Sequence, residues 1–168
     1  MDRRRIIGRV AVGMLAGTAG VRLAAAQSAA PEGPGVALLR RLAAAVTAHD
    51  LARIDTIYAA GTSYVNHQAL VAAPSDIPPR EAFKAYLQQR IAAFPDLALS
   101  IEVAMESGDM IAGNLIWSGT QQGAYLGVPP RGRHVVWNST DIFRTRDGLI
   151  CDHWGAVDLF GLLRQLQA

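Results

Sequence analysis

An aspartate and a histidine near the C-terminal end of this 168-residue chain could carry out acid/base chemistry. They lie in two strand-like segments, Ser139–Thr145 and Leu149–Asp158, joined by Arg146-Asp147-Gly148. An Asp-Gly pair between β-branched and aromatic residues predicts a β-hairpin, here with a three-residue loop. If Thr145 faces Leu149, then Asp141 faces His153 across the hairpin. A buried carboxylate beside an imidazole can exchange protons with a substrate, or the pair can simply hold the two strands together.

Side chains alternate along a strand, so Asp141 and His153 share a face with Trp137, Ser139 and Cys151. The opposite face is just as mixed, because it carries both Asp152 and Trp154 along with several aliphatic residues. Alternation alone therefore leaves open which face is inside the protein. If the face of Asp141 is inside, Trp117 on the preceding strand and Trp137 are candidate pocket walls.

The Asn66-His67 pair is a second candidate for polar contacts. Its side chains could bind a carbonyl or enolate oxygen of a substrate, or they could cap the loop that follows. No spacing resembles HExxH or HxH, and no P-loop, dinucleotide glycine fingerprint or GxSxG elbow occurs. We therefore expect neither a metal ion nor a cofactor.

The N-terminus predicts an exported protein. Arg3-Arg4-Arg5 precedes the apolar segment Val10–Val21, and Ala24-Ala25-Ala26 supplies a small-residue cleavage site, so residues 1–26 are interpreted as a signal peptide. The arginines resemble a twin-arginine export signal, although the Sec route stays open, and the destination is periplasmic or secreted. An amphipathic or anchoring helix is the alternative, but the segment is shorter than the roughly 20 residues that span a bilayer. We expect no stable membrane insertion of the mature chain.

The charge of the mature chain argues against a nucleic-acid partner. The predicted leader holds five of the 16 basic and one of the 14 acidic residues, which leaves a formal charge of −2 instead of +2. The basic character of the whole chain therefore belongs to the leader. Cys151 is the only cysteine, so an intrachain disulfide and a cysteine-based metal cluster are excluded.

Hydrophobic periodicity predicts an α+β domain. A Pro- and Gly-containing linker at residues 27–35 leads into helices, and after Phe94-Pro95-Asp96 the period changes from helical to alternating. Helices followed by consecutive antiparallel strands favour helices packed on one face of a curved sheet, with Met110–Thr120 as a central strand. The predicted helices are Val36–His49, Leu51–Ala59 and Arg80–Phe94, and the last of them has the buried stripe Phe83, Leu87, Ile91 and Ala92. The predicted strands are Thr62–Gln68, Leu97–Glu106, Met110–Thr120 and the two strands of the hairpin. An apolar tail follows at Leu159–Leu166.

Six motifs in order give the chain a family resemblance. They are Tyr64-Val65-Asn66-His67, Phe94-Pro95-Asp96-Leu97, Trp117-Ser118-Gly119-Thr120, the Gly127–Arg133 loop, Asp141-Ile142-Phe143-Arg144 and Asp147–Trp154, followed by Leu162–Leu166. Together they resemble the SnoaL-like polyketide cyclases and ester cyclases of the NTF2-like superfamily over residues 36–167. The resemblance implies an NTF2-like cone-shaped barrel over domain 36–168, a pocket between sheet and helices, and a homodimer through the outer face of the sheet. It also implies that Ser139, Asp141, His153 and Gly155 face the pocket.

The departures from the family pattern shape the functional hypothesis. The resemblance implies an acid/base aspartate two residues after His153, where this chain has Gly155. Asp141 or Ser139 matches the family's polar partner on the preceding strand, Asn66 matches its pocket asparagine, and Gln121 stands where many relatives have His. Asp141 could restore the missing carboxylate from the neighbouring strand, because the predicted register places it opposite His153, one pair away from Gly155.

The resulting hypothesis is cofactor-independent proton transfer on a small, mostly apolar carbonyl or lactone-type substrate. Asp141 would be the acid/base and His153 its partner, while Asn66 and His67 would bind oxygen and Trp117, Trp137 and Ser139 would line the pocket. One alternative is a non-catalytic module that binds a small apolar ligand or acts as a dimeric scaffold. Another is a hydrolase of epoxides or esters, which would need a water molecule held beside Asp141.

Overall fold

The computed structural model describes residues 32–68 and 76–168. The predicted signal peptide and most of the linker lie outside the described residues, as does much of the loop before the third predicted helix. Within the described ranges, no helix is long and apolar enough to cross a membrane. In order, the elements are α1 (Pro34–Thr47), two short 3₁₀ turns (Leu51–Thr56 and Gly61–Ser63), β1 (Val65–Asn66), α2 (Pro79–Ala93), β2 (Ala98–Ser107), β3 (Met110–Thr120), β4 (His134–Arg146), β5 (Leu149–Val157) and α3 (Leu159–Gln167).

The sheet has five strands in the order β1-β5-β4-β3-β2. Strands β2 to β5 are antiparallel neighbours, and β1 joins β5 in parallel. The predicted α+β class is confirmed, and β3 has a strand on each side as expected. The sheet does not close on itself, so the cone implied by the family resemblance is open between β1 and β2.

The segment before α2 is less regular than predicted. The second helix is a 3₁₀ turn of six residues, and the predicted strand Thr62–Gln68 is reduced to the two residues Val65 and Asn66. Gly61 adopts φ 55°, a left-handed conformation that opens a second 3₁₀ turn just before β1. Tyr64 and Gln68 therefore flank a very short strand and can approach the sheet from its edge.

The last hairpin has a different register from the predicted one. Asp147 and Gly148 adopt φ 52° and 76°, so they form a two-residue turn of the primed type and Arg146 pairs with Leu149. A bulge at Cys151 then adds one residue to β5. The predicted facing of Asp141 and His153 is wrong, since the observed partners are Asp141 with Gly155 and Phe143 with His153.

The register error leaves the faces intact. The shorter turn and the bulge each move the pairing by one residue, and because the side-chain period is two, every residue beyond the bulge returns to its predicted face. Ser139, Asp141 and His153 are all about 3% exposed on the inner face. This agrees with the facing that the family resemblance implies.

Helix α2 buries a different stripe from the predicted one. Its buried residues are Phe83, Leu87, Arg90 and Ala93, whereas Ile91 is half-buried and Ala92 is exposed. Spacings of four, three and three residues follow one helical face, and that face includes an arginine. The predicted stripe was wrong at its C-terminal end because it left out the charged residue Arg90.

Helix α3 protects the part of β4 that β5 does not reach. Strand β5 pairs with β4 only from Ser139 onward, so the backbone of Val136 has no strand partner on that side. The Gln165 side chain accepts from the Val136 N–H at 3.0 Å and donates to its carbonyl at 2.7 Å. The side-chain amide thus replaces a neighbouring strand, while Leu162 and Leu166 bury the helix against the core.

Candidate active site

The Asp141 carboxylate is at the centre of a buried hydrogen-bond network. Its Oδ1 lies 2.9 Å from His153 Nε2 and accepts from Gln68 Nε2 at 3.0 Å. Its Oδ2 accepts from the Ser139 hydroxyl at 2.5 Å. Three side chains thus converge on one carboxylate that is 3% exposed. Such an arrangement holds the carboxylate in a single orientation, as a catalytic base requires.

Two outer residues define the direction of these hydrogen bonds. Trp117 Nε1 donates to Ser139 Oγ at 3.0 Å, which leaves the serine proton for Asp141. The Tyr64 hydroxyl lies 3.4 Å from His153 Nδ1, and burial, helped by the charge of Asp141, raises the pKa of Tyr64 so that it keeps its proton. The protonated Tyr64 hydroxyl can donate to Nδ1, and His153 Nε2 then carries the proton that it donates to Asp141.

Aromatic rings enclose the imidazole of His153. The ring of Phe143 stacks on it with centroids 4.3 Å apart, and Phe83 meets it edge-on at 5.7 Å. Tyr58 lies further out at 6.2 Å, and burial raises its pKa well above the usual value. An imidazolium in this apolar setting would depend on the Asp141 carboxylate as its counter-ion.

Gly155 makes room for the network. It pairs directly with Asp141, and a Cβ atom at Gly155 would lie 2.3 Å from Asp141 Oδ1 and 1.9 Å from Gln68 Nε2. The space of a side chain at position 155 is thus occupied by the Asp141 carboxylate and the Gln68 amide. A carboxylate therefore lies close to where an aspartate at position 155 would begin.

An inner cavity adjoins the network, and an outer groove shares one lining residue with that cavity. The inner one, about 20 Å³, has room for about one water molecule. It is lined by Leu42, Gln68, Phe83, Tyr86, Arg90, Leu115, Trp117, Ser139, Asp141, Phe143, His153 and Val157. The outer one is a groove of about 490 Å³ between the C-terminal half of α2, the loop after β3 and the start of α3, and Tyr86 belongs to both. The titratable groups suited to proton transfer lie in the inner cavity.

The structure brings together four of the seven predicted site residues. Asp141, His153, Ser139 and Trp117 line the inner cavity. Trp137 is buried and parallel to Trp117, with ring centroids 6.2 Å apart, but it does not line the cavity.

Asn66 and His67 are not among the residues that line the inner cavity. The Asn66 side chain accepts from the Gln68 backbone N–H at 2.9 Å, which is the loop-capping alternative. His67 is exposed, stacks on Trp154 at 4.5 Å and bonds Asp152 at 3.0 Å on the outer side of the hairpin. That hydrogen bond is the main cause of the lowered pKa of Asp152.

Two residues that the sequence analysis did not single out belong to the site. Gln68 donates to Asp141, and its position two residues after Asn66 was the available signal, since alternate residues of an extended segment share a side. Arg90 lines the cavity although it is charged. Its signal was helical spacing, because it lies seven residues after Phe83 and three after Leu87 on the apolar stripe of α2.

Metal binding finds no support in the part of the chain that the structure describes. There, no three His, Cys, Asp or Glu side chains converge on one point. Asp141 and His153 are a pair, and their remaining neighbours Gln68, Ser139 and Tyr64 are neutral donors. This set suits proton transfer better than metal coordination.

Comparisons with known proteins agree with the fold. The SnoaL-like polyketide cyclase family model matches residues 36–166. None of the curated proteins matches the sequence.

Three of the similar solved structures come from Streptomyces. They include IdmH from S. antibioticus, a proposed polyketide cyclase, with 27% identity, a TM-score of 0.70 and coverage of 82% of this chain and 100% of that one. TsrD from S. laurentii has 28% identity and a TM-score of 0.69, and AclR from S. galilaeus, a proposed hydroxylase, has 26% identity and 0.68. For both, the match covers 79% of this chain and 94% of the other. This chain belongs to the SnoaL-like polyketide cyclase family, within the NTF2-like superfamily.

Proposed function

We propose that the protein performs cofactor-independent acid/base chemistry on a small, mostly apolar carbonyl or lactone-type substrate, with Asp141 as the base. The observation that carries the proposal is the position of the Asp141 carboxylate, which fills the space beside Gly155 and lines the inner cavity. Its three hydrogen bonds hold it in one orientation. The similarity to IdmH, a proposed polyketide cyclase, supports chemistry at a carbon next to a carbonyl group.

In the proposed step, an Asp141 oxygen takes the proton from the carbon next to the substrate carbonyl. The C–H electron pair moves into the new C=C bond, and the carbonyl π pair moves onto oxygen to give an enolate. His153 and Ser139 keep Asp141 oriented through Nε2 and Oγ. The enolate carbon then attacks a second carbonyl carbon of the substrate, whose C=O π pair moves onto its oxygen, and that oxygen takes the proton from Asp141. Alternatively, the enolate carbon takes the proton back.

Hydrolysis is a second candidate, which the size of the inner cavity favours. Its volume of about 20 Å³ suits a single water molecule beside Asp141. Asp141 would take a proton from that water while the water oxygen attacks an epoxide or ester carbon. The C–O bond to the leaving oxygen breaks, and that oxygen takes the proton from Asp141. AclR, a proposed hydroxylase, is a structural relative of this chain. Reaction in ¹⁸O-labelled water separates the candidates, because only hydrolysis transfers the label to the product.

Proton exchange tests the lead proposal before the natural substrate is known. Small ketones and lactones are incubated with the wild-type protein in D₂O, and loss of the α-proton signal is followed by NMR. We expect exchange above the buffer rate for at least one compound. Saturable binding without exchange would favour the non-catalytic alternative. The absence of both binding and exchange would contradict the proposal for this class of substrate.

We also propose a homodimer through the outer face of the sheet, as in the family pattern. That face carries the exposed apolar residues Val103, Met105, Val136 and Ile142. We expect sedimentation equilibrium to give a dimer that Met105→Asp combined with Val136→Asp converts to monomer. Phe160→Asp is the control, since Phe160 on α3 is the most exposed large apolar residue described, at 74%. A monomeric wild type, or a dimer disrupted only by Phe160→Asp, would contradict this interface.

A further inference from the structure

Arg90 is a buried cation in the wall of the inner cavity. Its side chain reaches inward from α2 and the residue is 2% exposed. Nε donates to the Tyr125 hydroxyl at 2.9 Å, and a terminal nitrogen donates to the Tyr86 hydroxyl. The guanidinium carbon lies 4.4 Å from the ring centre of Trp117 and 4.5 Å from that of Tyr86. Aromatic faces thus hold the cation in a fixed orientation.

The positive charge of Arg90 has no anionic partner among the residues that the structure describes. No carboxylate there forms a salt bridge with it, and Asp141 in the same cavity is bonded instead by Gln68, Ser139 and His153. Tyr86 does not neutralise it, because burial raises the pKa of the Tyr86 hydroxyl despite the nearby cation. A guanidinium has five N–H donors, and the hydrogen bonds described here use two of them.

A buried charge without a counter-ion is costly, so a folded protein that retains one commonly pairs it with a bound group. Phenol hydrogen bonds and ring contacts compensate part of this cost, but they do not cancel the charge. The indole nitrogen of Trp137, whose ring centre is 5.7 Å from the guanidinium carbon, is a further buried donor without an acceptor. The indole N–H of Trp137 and the Arg90 N–H groups outside these two hydrogen bonds are therefore donors open to a bound acceptor.

We infer that Arg90 binds a delocalised two-oxygen anion on the substrate, either a carboxylate or the enolate of a 1,3-dicarbonyl. The planar guanidinium fork matches such an oxygen pair in geometry and charge. The link to catalysis rests on the proposed function of Asp141. Arg90 lies over the ring of Trp117, and the Nε1 edge of the same indole is joined to Asp141 through Ser139. The anionic end would contact Arg90 while the C–H bond points to Asp141.

The first test compares charged and neutral ligands on the wild-type protein. Isothermal titration calorimetry measures formate against formamide, benzoate against benzamide, and acetylacetone against pentan-2-one. In at least one pair, we expect at least about tenfold tighter binding of the first-named compound, which is an anion or can ionise to an enolate. This is the size of a charge-assisted hydrogen bond. Preference for benzoate or formate assigns the carboxylate, and bound acetylacetone with the ultraviolet spectrum of its enolate assigns the 1,3-dicarbonyl. Equal affinities, or no binding by any anion, would overturn the inference.

The second test removes the charge. Arg90→Met keeps an unbranched side chain without the cation, and Arg90→Lys keeps the charge without the planar fork. We expect Arg90→Met to weaken binding of the preferred anion about 10- to 100-fold and to leave the neutral partner almost unchanged. Arg164→Met, which removes an exposed arginine from α3, is the matched control and should bind like the wild type. Circular dichroism checks that each variant is folded, and if Arg90→Met is not, the wild-type comparison still decides.

A purely structural role for Arg90 predicts a different result. If the residue only fastens α2 to Tyr125, its replacement lowers thermal stability but changes the affinities for benzoate and benzamide by the same factor. The Asp141→Asn variant separates this inference from the proposed function. Anion preference retained in a variant that no longer exchanges protons supports both, while exchange without any anion preference supports only the proposed function.

Discussion

Asp141→Asn is expected to lower the rate of α-proton exchange by about 10²- to 10⁴-fold, the usual contribution of a positioned general base. Asparagine has nearly the shape of aspartate but cannot accept a proton at neutral pH. Because Gln68, Ser139 and His153 all contact the Asp141 carboxylate, this variant tests the group that the network orients. NMR exchange rates in D₂O provide the measurement.

The fold should survive Asp141→Asn because the hydrogen bonds can be kept almost completely. The amide oxygen of asparagine can accept from His153 and Gln68, and its NH₂ group can donate to Ser139 Oγ. Only the Ser139 hydroxyl proton then loses its acceptor, which costs about 1–3 kcal/mol. Urea unfolding should therefore show a moderate loss of stability beside a large loss of rate.

Asp152→Asn is the matched control for this substitution. Asp152 is on β5 like His153, but it bonds His67 and Arg144 on the outer side of the hairpin. Its pKa is lowered in the folded protein, so its contribution to stability is present at neutral pH and is lost as the pH falls through the folded pKa. The control should lose some stability at neutral pH and exchange protons like the wild type. Equal rates in the wild type and Asp141→Asn would exclude Asp141 as the base.

The family resemblance predicted the inner face of the hairpin, which the alternation of side chains had left open, but the predicted register was wrong. The pattern around Arg146-Asp147-Gly148 fits turns of two or three residues. The structure has the two-residue turn, in which Asp147 adopts φ 52°. The alternation of apolar and polar residues along the sequence does not indicate the bulge at Cys151. The turn and the bulge each shift the pairing by one residue, so together they shift it by two. Because two residues are the side-chain period of a strand, the site residues still face inward.

Residues that approach the site from outside the hairpin were harder to predict. His67 and Gln68 are adjacent in sequence, yet one bonds Asp152 outside and the other bonds Asp141 inside. That choice depends on the parallel pairing of the two-residue strand β1 with β5, a long-range contact that no local pattern encodes. Arg90 was overlooked for a different reason, since a charged residue on an apolar stripe is normally assigned to solvent.

Gly155→Asp is expected to destabilise the protein by about 3–5 kcal/mol, the cost of an uncompensated buried charge. Its Cβ atom would lie 2.3 Å from Asp141 Oδ1 and 1.9 Å from Gln68 Nε2. The Gln68 amide is the end of a flexible side chain and can move, but Asp141 is held by Ser139 and His153. Two buried carboxylates would then share one site, and one of them would have to take up a proton. Urea unfolding provides the measurement.

The control Gly155→Asn adds almost the same volume without the charge, so the difference between the two variants isolates the repulsion between carboxylates. The double variant Gly155→Asp with Asp141→Asn then moves the carboxylate across the strand pair, to the position that the family pattern gives it. We expect the double variant to be more stable than Gly155→Asp alone and to exchange protons faster than Asp141→Asn alone. If the two stability losses simply add, the charges do not interact, and Asp141 does not occupy the functional place of an aspartate at position 155. Recovery of both stability and exchange would mean that the site needs one carboxylate in this space and accepts it from either strand.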